Sequence, residues 1–197
     1  MRKAALGFRV HSGWTSLVAI SLEGNLPVVL ARQRPHLVET FSYTFRQPYH
    51  SAAKMPIEDA QKFVHKVREE ARELAVRAIR AAETDVRQQG CQLASCALLL
   101  ASGRPLPELE KILASHAMIH TADGELFREA MLHASKRCKL KITTIREREL
   151  QVRASSDLHM RANAVAQRVA DLGKTVGPPW SQNEKFAALA AWIALRT

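Results

Sequence analysis

His116 and His120 stand four residues apart in SHAMIHTADGE, a spacing that would set two imidazoles on one helix face. There they could hold a divalent metal, with Glu125 as a third ligand. The same spacing describes two histidines at an exposed helix end. No zincin-like signature extends the pair, so neither a metal site nor a cofactor is expected. His11 and Ser12, adjacent in GFRVHSGW, offer an imidazole and a hydroxyl for proton transfer or nucleophilic attack. Glu184 adds a carboxylate, although three residues after Ser181 it also completes a capping box at a helix start. Any catalysis would draw on His11, Ser12, His116, His120 and Glu184, provided that the fold gathers them.

Arg9 poses a different question, because it places an obligate cation beside Leu6, Phe8 and Val10 in a strand-like run. A guanidinium grips phosphate or carboxylate through two parallel hydrogen bonds. Arg9 either joins Arg104 of ASGRP and Lys185 of SQNEK in an anion site, or pairs with an internal acid such as Glu184, or sits on an exposed sheet face. The net charge of +10 is concentrated in two blocks. Basic residues outnumber acidic ones by 7 to 2 in residues 1–56 and again by 7 to 2 in residues 136–154. Lys139, Lys141, Arg146 and Arg148 of the second block could follow a phosphate backbone through counterion release. Trp14, Tyr43 and Tyr49 could stack on bases, but at 6% aromatic content an extended stacking platform is not expected. GRPLP and GKT lack the remainder of a Walker pattern.

The elements that must position these groups follow from periodicity and turn chemistry. Residues 4–10 and 15–22 read as two strands of a hairpin across HSGW. NLPVVLARQRPHLVE reads as a third strand, at a sheet edge or bulged because Pro35 lacks an amide donor. RQPYHSAAKMP reads as a loop. From residue 57 to 89 apolar residues recur at spacings of three and four, predicting one long amphipathic helix closed by Gly90. Its alanine-rich stripe suits close packing on a sheet, and the rival reading is the seam of a coiled-coil homodimer. LASCALLLA, residues 93–101, predicts a strand buried on both faces. A short helix in PLPELEKILASH, a longer one in DGELFREAMLHASKRC capped by Asp123, and a fifth strand in LKITTI follow. Helices are expected over 147–154, 158–173 and 181–196.

Composition sets the outer limits. Residues 1–197, with 47% apolar and 24% charged side chains, predict a single globular domain. No apolar run approaches the roughly 20 residues of a membrane span, and the N-terminus lacks the apolar core of a signal peptide. A cytoplasmic protein with no membrane partner is expected. Cys91, Cys96 and Cys138 fit a reducing compartment.

The order β-β-β-α-β-α-β-α, opening on a hairpin and placing the longest helix after strand three, resembles the ribonuclease H-like superfamily in its resolvase-type branch. The resemblance implies an α/β fold with a mixed five-stranded sheet flanked by helices, extended here by further C-terminal helices. In that superfamily the first strand reads like G-x-D-x-G, and its Asp binds a divalent metal. Here Gly7 and Gly13 flank Arg9 at that place. After strand four stand Ser102, Gly103 and Arg104 in place of an acid, and the last helix opens with Glu184 followed by Lys185. Clustered carboxylates hold the cations of two-metal hydrolysis. A guanidinium about 4 Å from a dication would cost about 8 kcal/mol at an effective dielectric near 20. The expectation is therefore a noncatalytic domain, a pseudoenzyme that binds nucleic acid or another phosphate-bearing ligand. The alternatives are an enzyme of different chemistry at the same sheet pole and an interaction module that docks through the long helix.

Overall fold

The computed structural model of this chain describes residues 1–101 and 105–196. Ser102, Gly103 and Arg104 lie outside the described residues. Strands β1 (Arg2–His11), β2 (Trp14–Glu23), β3 (Leu26–Gln33), β4 (Cys91–Leu100) and β5 (Lys141–Arg146) form one mixed sheet in the order β3-β2-β1-β4-β5. The β1–β2 and β2–β3 pairs are antiparallel, whereas β1–β4 and β4–β5 are parallel. The first hairpin closes through Ser12 and Gly13, with Gly13 at a φ of 81° that a side chain would resist.

Strand alternation divides β1 between two apolar layers. Ala4, Leu6, Phe8 and Val10 face one core, together with the stripe of helix α3 (Ile57–Gln88) and the inner face of α5 (His116–Arg137). Ala5 faces the second core with α6 (Leu150–Asp157), α7 (Ala162–Val176) and α8 (Gln182–Arg196). The alanine stripe of α3 is buried within the chain, which accounts for it without a coiled-coil partner. Gly7 has no room for a side chain. A Cβ there would meet the Ala187 carbonyl oxygen at 1.8 Å, so α8 lies directly on the central strand. Ala187, Ala188, Ala190, Ala191 and Ala194 are buried on that helix, and the Ser95 hydroxyl donates to the Ala194 carbonyl at 2.9 Å.

Three local expectations change. The third strand ends at Gln33 rather than running on through Pro35. Beyond it the chain bridges to the hairpin end, where the Thr15 N–H donates to the Pro35 carbonyl and the Leu37 N–H to the Gly13 carbonyl. The segment read as a loop contains two short helices, α1 (Tyr43–Arg46) and α2 (Pro48–Ala52), with Pro48 at a first-turn position where its missing N–H costs nothing. Helix α5 begins seven residues before Asp123, so Asp123 is a buried helical residue and not a cap. Between β4 and α5 lies the short α4 (Leu109–Leu113), as expected. Among the described residues no helix is long and apolar enough to cross a membrane. Cys91 and Cys96 are buried thiols, and burial pushes Cys96 up to about 11.

The Gly7 contact generates a prediction. Gly7→Ala drives a methyl group into the backbone of α8 and should destabilise the fold by at least about 2 kcal/mol, read as a lower denaturant midpoint at an unchanged slope. An unaltered midpoint would show that α8 is free to move away from β1.

Candidate functional site at the sheet pole

Parallel β1, β4 and β5 end at one pole of the sheet, and the side chains there come from distant parts of the sequence. Arg9 shares its strand face with Gly7, so its guanidinium emerges where α8 begins. Its Nε donates to Glu147 Oε2 at 3.0 Å and its Nη2 to Glu147 Oε1 at 2.6 Å. Its Nη1 donates to Asn183 Oδ1 at 2.6 Å, and the Phe186 ring lies 5.0 Å from Cζ. Glu147 belongs to a 3-10 turn, Glu147–Glu149, that leaves the end of β5. The pair is a bidentate fork, with side-chain exposures of 16% for Arg9 and 37% for Glu147. The internal acid that meets Arg9 is thus Glu147 and not Glu184.

Glu184 has a different task. Its Oε2 accepts from the Ser181 N–H at 2.8 Å and from the Ser181 hydroxyl at 2.5 Å, while the Asn183 N–H donates to Ser181 Oγ at 3.2 Å. This is the capping box read from SQNE. Burial alone would raise its carboxyl, but the bonds from Ser181, its own N–H and the Arg32 charge together hold it below its ordinary value. Lys185, one residue on, lines a separate small pocket of about 180 Å³ with Gln151, Val169, Phe186 and Leu189.

His11 sits between the arginine and the hairpin turn. Its Nε2 donates to Asn183 Oδ1 at 3.0 Å, and its ring stacks on Trp14 with centroids 4.2 Å apart. Burial first, then the Arg9 charge, lowers its pKa from the ordinary imidazole value. Arg34 lies over the same Trp14 ring at 3.6 Å. A second stack repeats the pattern nearby, with His36 on Phe41 at 4.1 Å and Arg46 over Phe41 at 4.5 Å. Arg46 Nε also donates to the Ser12 carbonyl, tying the second stack to the turn.

Three of the five catalytic candidates share one cleft. His11, Ser12 and His120 line a space of about 390 Å³ with Ala101, Gly124, Glu125 and Arg128. His116 lies beside it, its ring 4.5 Å from that of His120. Glu125 forms an ion pair with Arg128 at 3.0 Å and is not part of the histidine cluster. The basic block follows edge strand β5. Lys139 and Lys141 stand at its start, and Arg146 and Arg148 stand at and beyond its end, sharing Glu149 at 3.4 and 3.6 Å. Glu147, Asn183, Arg34 and Arg46 escaped the sequence reading. The one available signal was that Glu147 is the first acid after the last strand.

The His11 environment predicts a pH dependence. Its pKa is lowered by folding, so the unfolded chain binds the extra proton more readily, and acid favours unfolding. The contribution is complete above about pH 6.5, the unfolded value, and is lost as pH falls through the folded value. An NMR titration should place His11 below 6.5, and His11→Gln should flatten the acid side of the stability profile. A midpoint at or above 6.5 would contradict the assigned burial and the influence of Arg9.

No family model matches the chain, and no curated protein sequence does. Among solved structures, the RuvC structure from Thermus thermophilus superposes with a TM-score of 0.53 at 11% identity, covering 98% of this chain and 93% of that one. T. thermophilus RuvC in complex with a Holliday junction substrate superposes equally well, at 10% identity over 96% and 91% of the two chains. The chain therefore has the ribonuclease H-like fold of RuvC, as its element order implies.

Proposed function

We propose that this chain is a nucleic-acid-binding domain that does not hydrolyse its ligand by two-metal chemistry. The observation that carries the reading is the Arg9–Glu147 fork on the central strand. A carboxylate committed to a guanidinium is a poor ligand for a hard dication, and the guanidinium itself repels that ion. Arg9 then serves as the positioning cation that holds the β5 exit and the start of α8 together. Contacts with phosphate fall to the cations around it: Arg34 and Arg46 on their aromatic rings, and Arg146 and Arg148, which share one carboxylate. Lys139 and Lys141 extend the basic edge. The junction-bound RuvC neighbour makes branched DNA the first ligand to try. A rival enzymatic reading rests on His11, Ser12 and His120 lining a common cleft.

Fluorescence anisotropy against four-way junction, duplex and single-stranded DNA at rising salt tests this. Binding to duplex or junction should weaken steeply with salt, and Arg146→Ala with Arg148→Ala should reduce the log–log slope by about 2. An unchanged slope would leave the block as solvated surface, and no binding at low salt would remove the nucleic-acid reading. Magnesium- or manganese-dependent cleavage that disappears in Glu147→Gln would overturn the noncatalytic part.

A further inference from the structure

Helix α2 carries His50 into contact with the first turns of α5. There the potential ligand atoms of His50, His116 and His120 all lie within 4.8 Å of one another. The rings meet edge to face, with centroids 5.6 Å apart for His50 and His116, 4.4 Å for His50 and His120, and 4.5 Å for His116 and His120. Behind them His50 Nδ1 donates to buried Asp123 Oδ2, and Asp123 Oδ1 accepts the Tyr49 N–H at 2.7 Å. We propose that His50, His116 and His120 form a divalent transition-metal site in which Asp123 is the outer-sphere carboxylate.

The chemistry of the donors selects the ion. Three imidazoles suit zinc, cobalt or nickel, whereas magnesium and calcium require oxygen ligands. Nδ1–H of His50 is committed to Asp123, which fixes the tautomer and leaves its Nε2 lone pair for the metal. This carboxylate–histidine relay orients metal-binding imidazoles and raises their basicity. Tetrahedral coordination at roughly 2.0–2.1 Å puts ligand nitrogens about 3.4 Å apart, so the cluster needs only a small contraction. His116 and His120 are exposed side chains that can rotate to supply it. The ion would tie α2 to α5, and three protein ligands leave a fourth position for water or an anion. Through His120 the site adjoins the cleft lined by His11 and Ser12.

The test uses tag-free protein stripped with chelator, titrated with cobalt and then zinc, and needs no nucleic acid, so it stands or falls apart from the binding function. One equivalent of cobalt per chain should bind with the intensified visible absorption of a four-coordinate ion, and zinc should displace it. Because His116 and His120 are exposed, His116→Gln and His120→Gln should fold normally and lose at least about 100-fold in affinity, and Asp123→Asn should lose about 10- to 100-fold. His65→Gln, on the exposed side of α3, should bind as the parent does. Absence of saturable one-equivalent binding, or equal binding by the parent and both exposed-histidine variants, would overturn the proposal.

Discussion

The close approach of α8 to β1 at Gly7 is the constraint on which the rest of the pole depends. No other residue type leaves space for the Ala187 carbonyl, and the alanines of α8 keep the helix equally low along the sheet. This fixes the start of α8 beside Arg9, two residues further along the same strand face. Asn183 and Phe186 then meet the guanidinium, and the capping box of Ser181 and Glu184 determines where the helix begins. Packing at a glycine thus decides the surroundings of a charge.

The charge in turn decides what the pole can do. Arg9 lies on the central strand with Glu147 across its fork, and because the guanidinium is largely buried, removing Glu147 would leave a desolvated charge without a partner. Two cations nearby, exposed Arg34 and half-buried Arg46, stand over the rings of Trp14 and Phe41, contacts that restrain their rotamers. The proposed binding of a polyanion, in preference to two dications, rests on this arrangement. The histidine cluster lies to one side, on α2 and α5, and its nitrogen donors call for a different class of ion.

Much of the fold was legible because the signals were local and redundant. The hairpin at Ser12–Gly13, the 3.6-residue rhythm of α3 and the SQNE capping box each depend on residues close in sequence. The site was legible only in part. Arg9 stood out as a cation in an apolar run, but its partner is 138 residues away. Asp123 has the side chain of a helix cap at the head of DGELFREAMLHASKRC, yet α5 starts earlier and buries the carboxylate against α2. His50 lay in a proline-flanked stretch without periodicity, and its meeting with His116 and His120 is a purely tertiary event. The i, i+4 spacing of those two histidines was visible, while the third histidine was not.

A double-mutant cycle on Arg9→Met and Glu147→Gln, read by equilibrium unfolding, tests most directly whether an internal ion pair organises this pole. An organising ion pair should give a coupling of about 1–2 kcal/mol, less than a fully buried pair because Glu147 is partly exposed. Additive effects, together with manganese binding to the parent that is lost in Glu147→Gln, would contradict it and return the pole to metal chemistry.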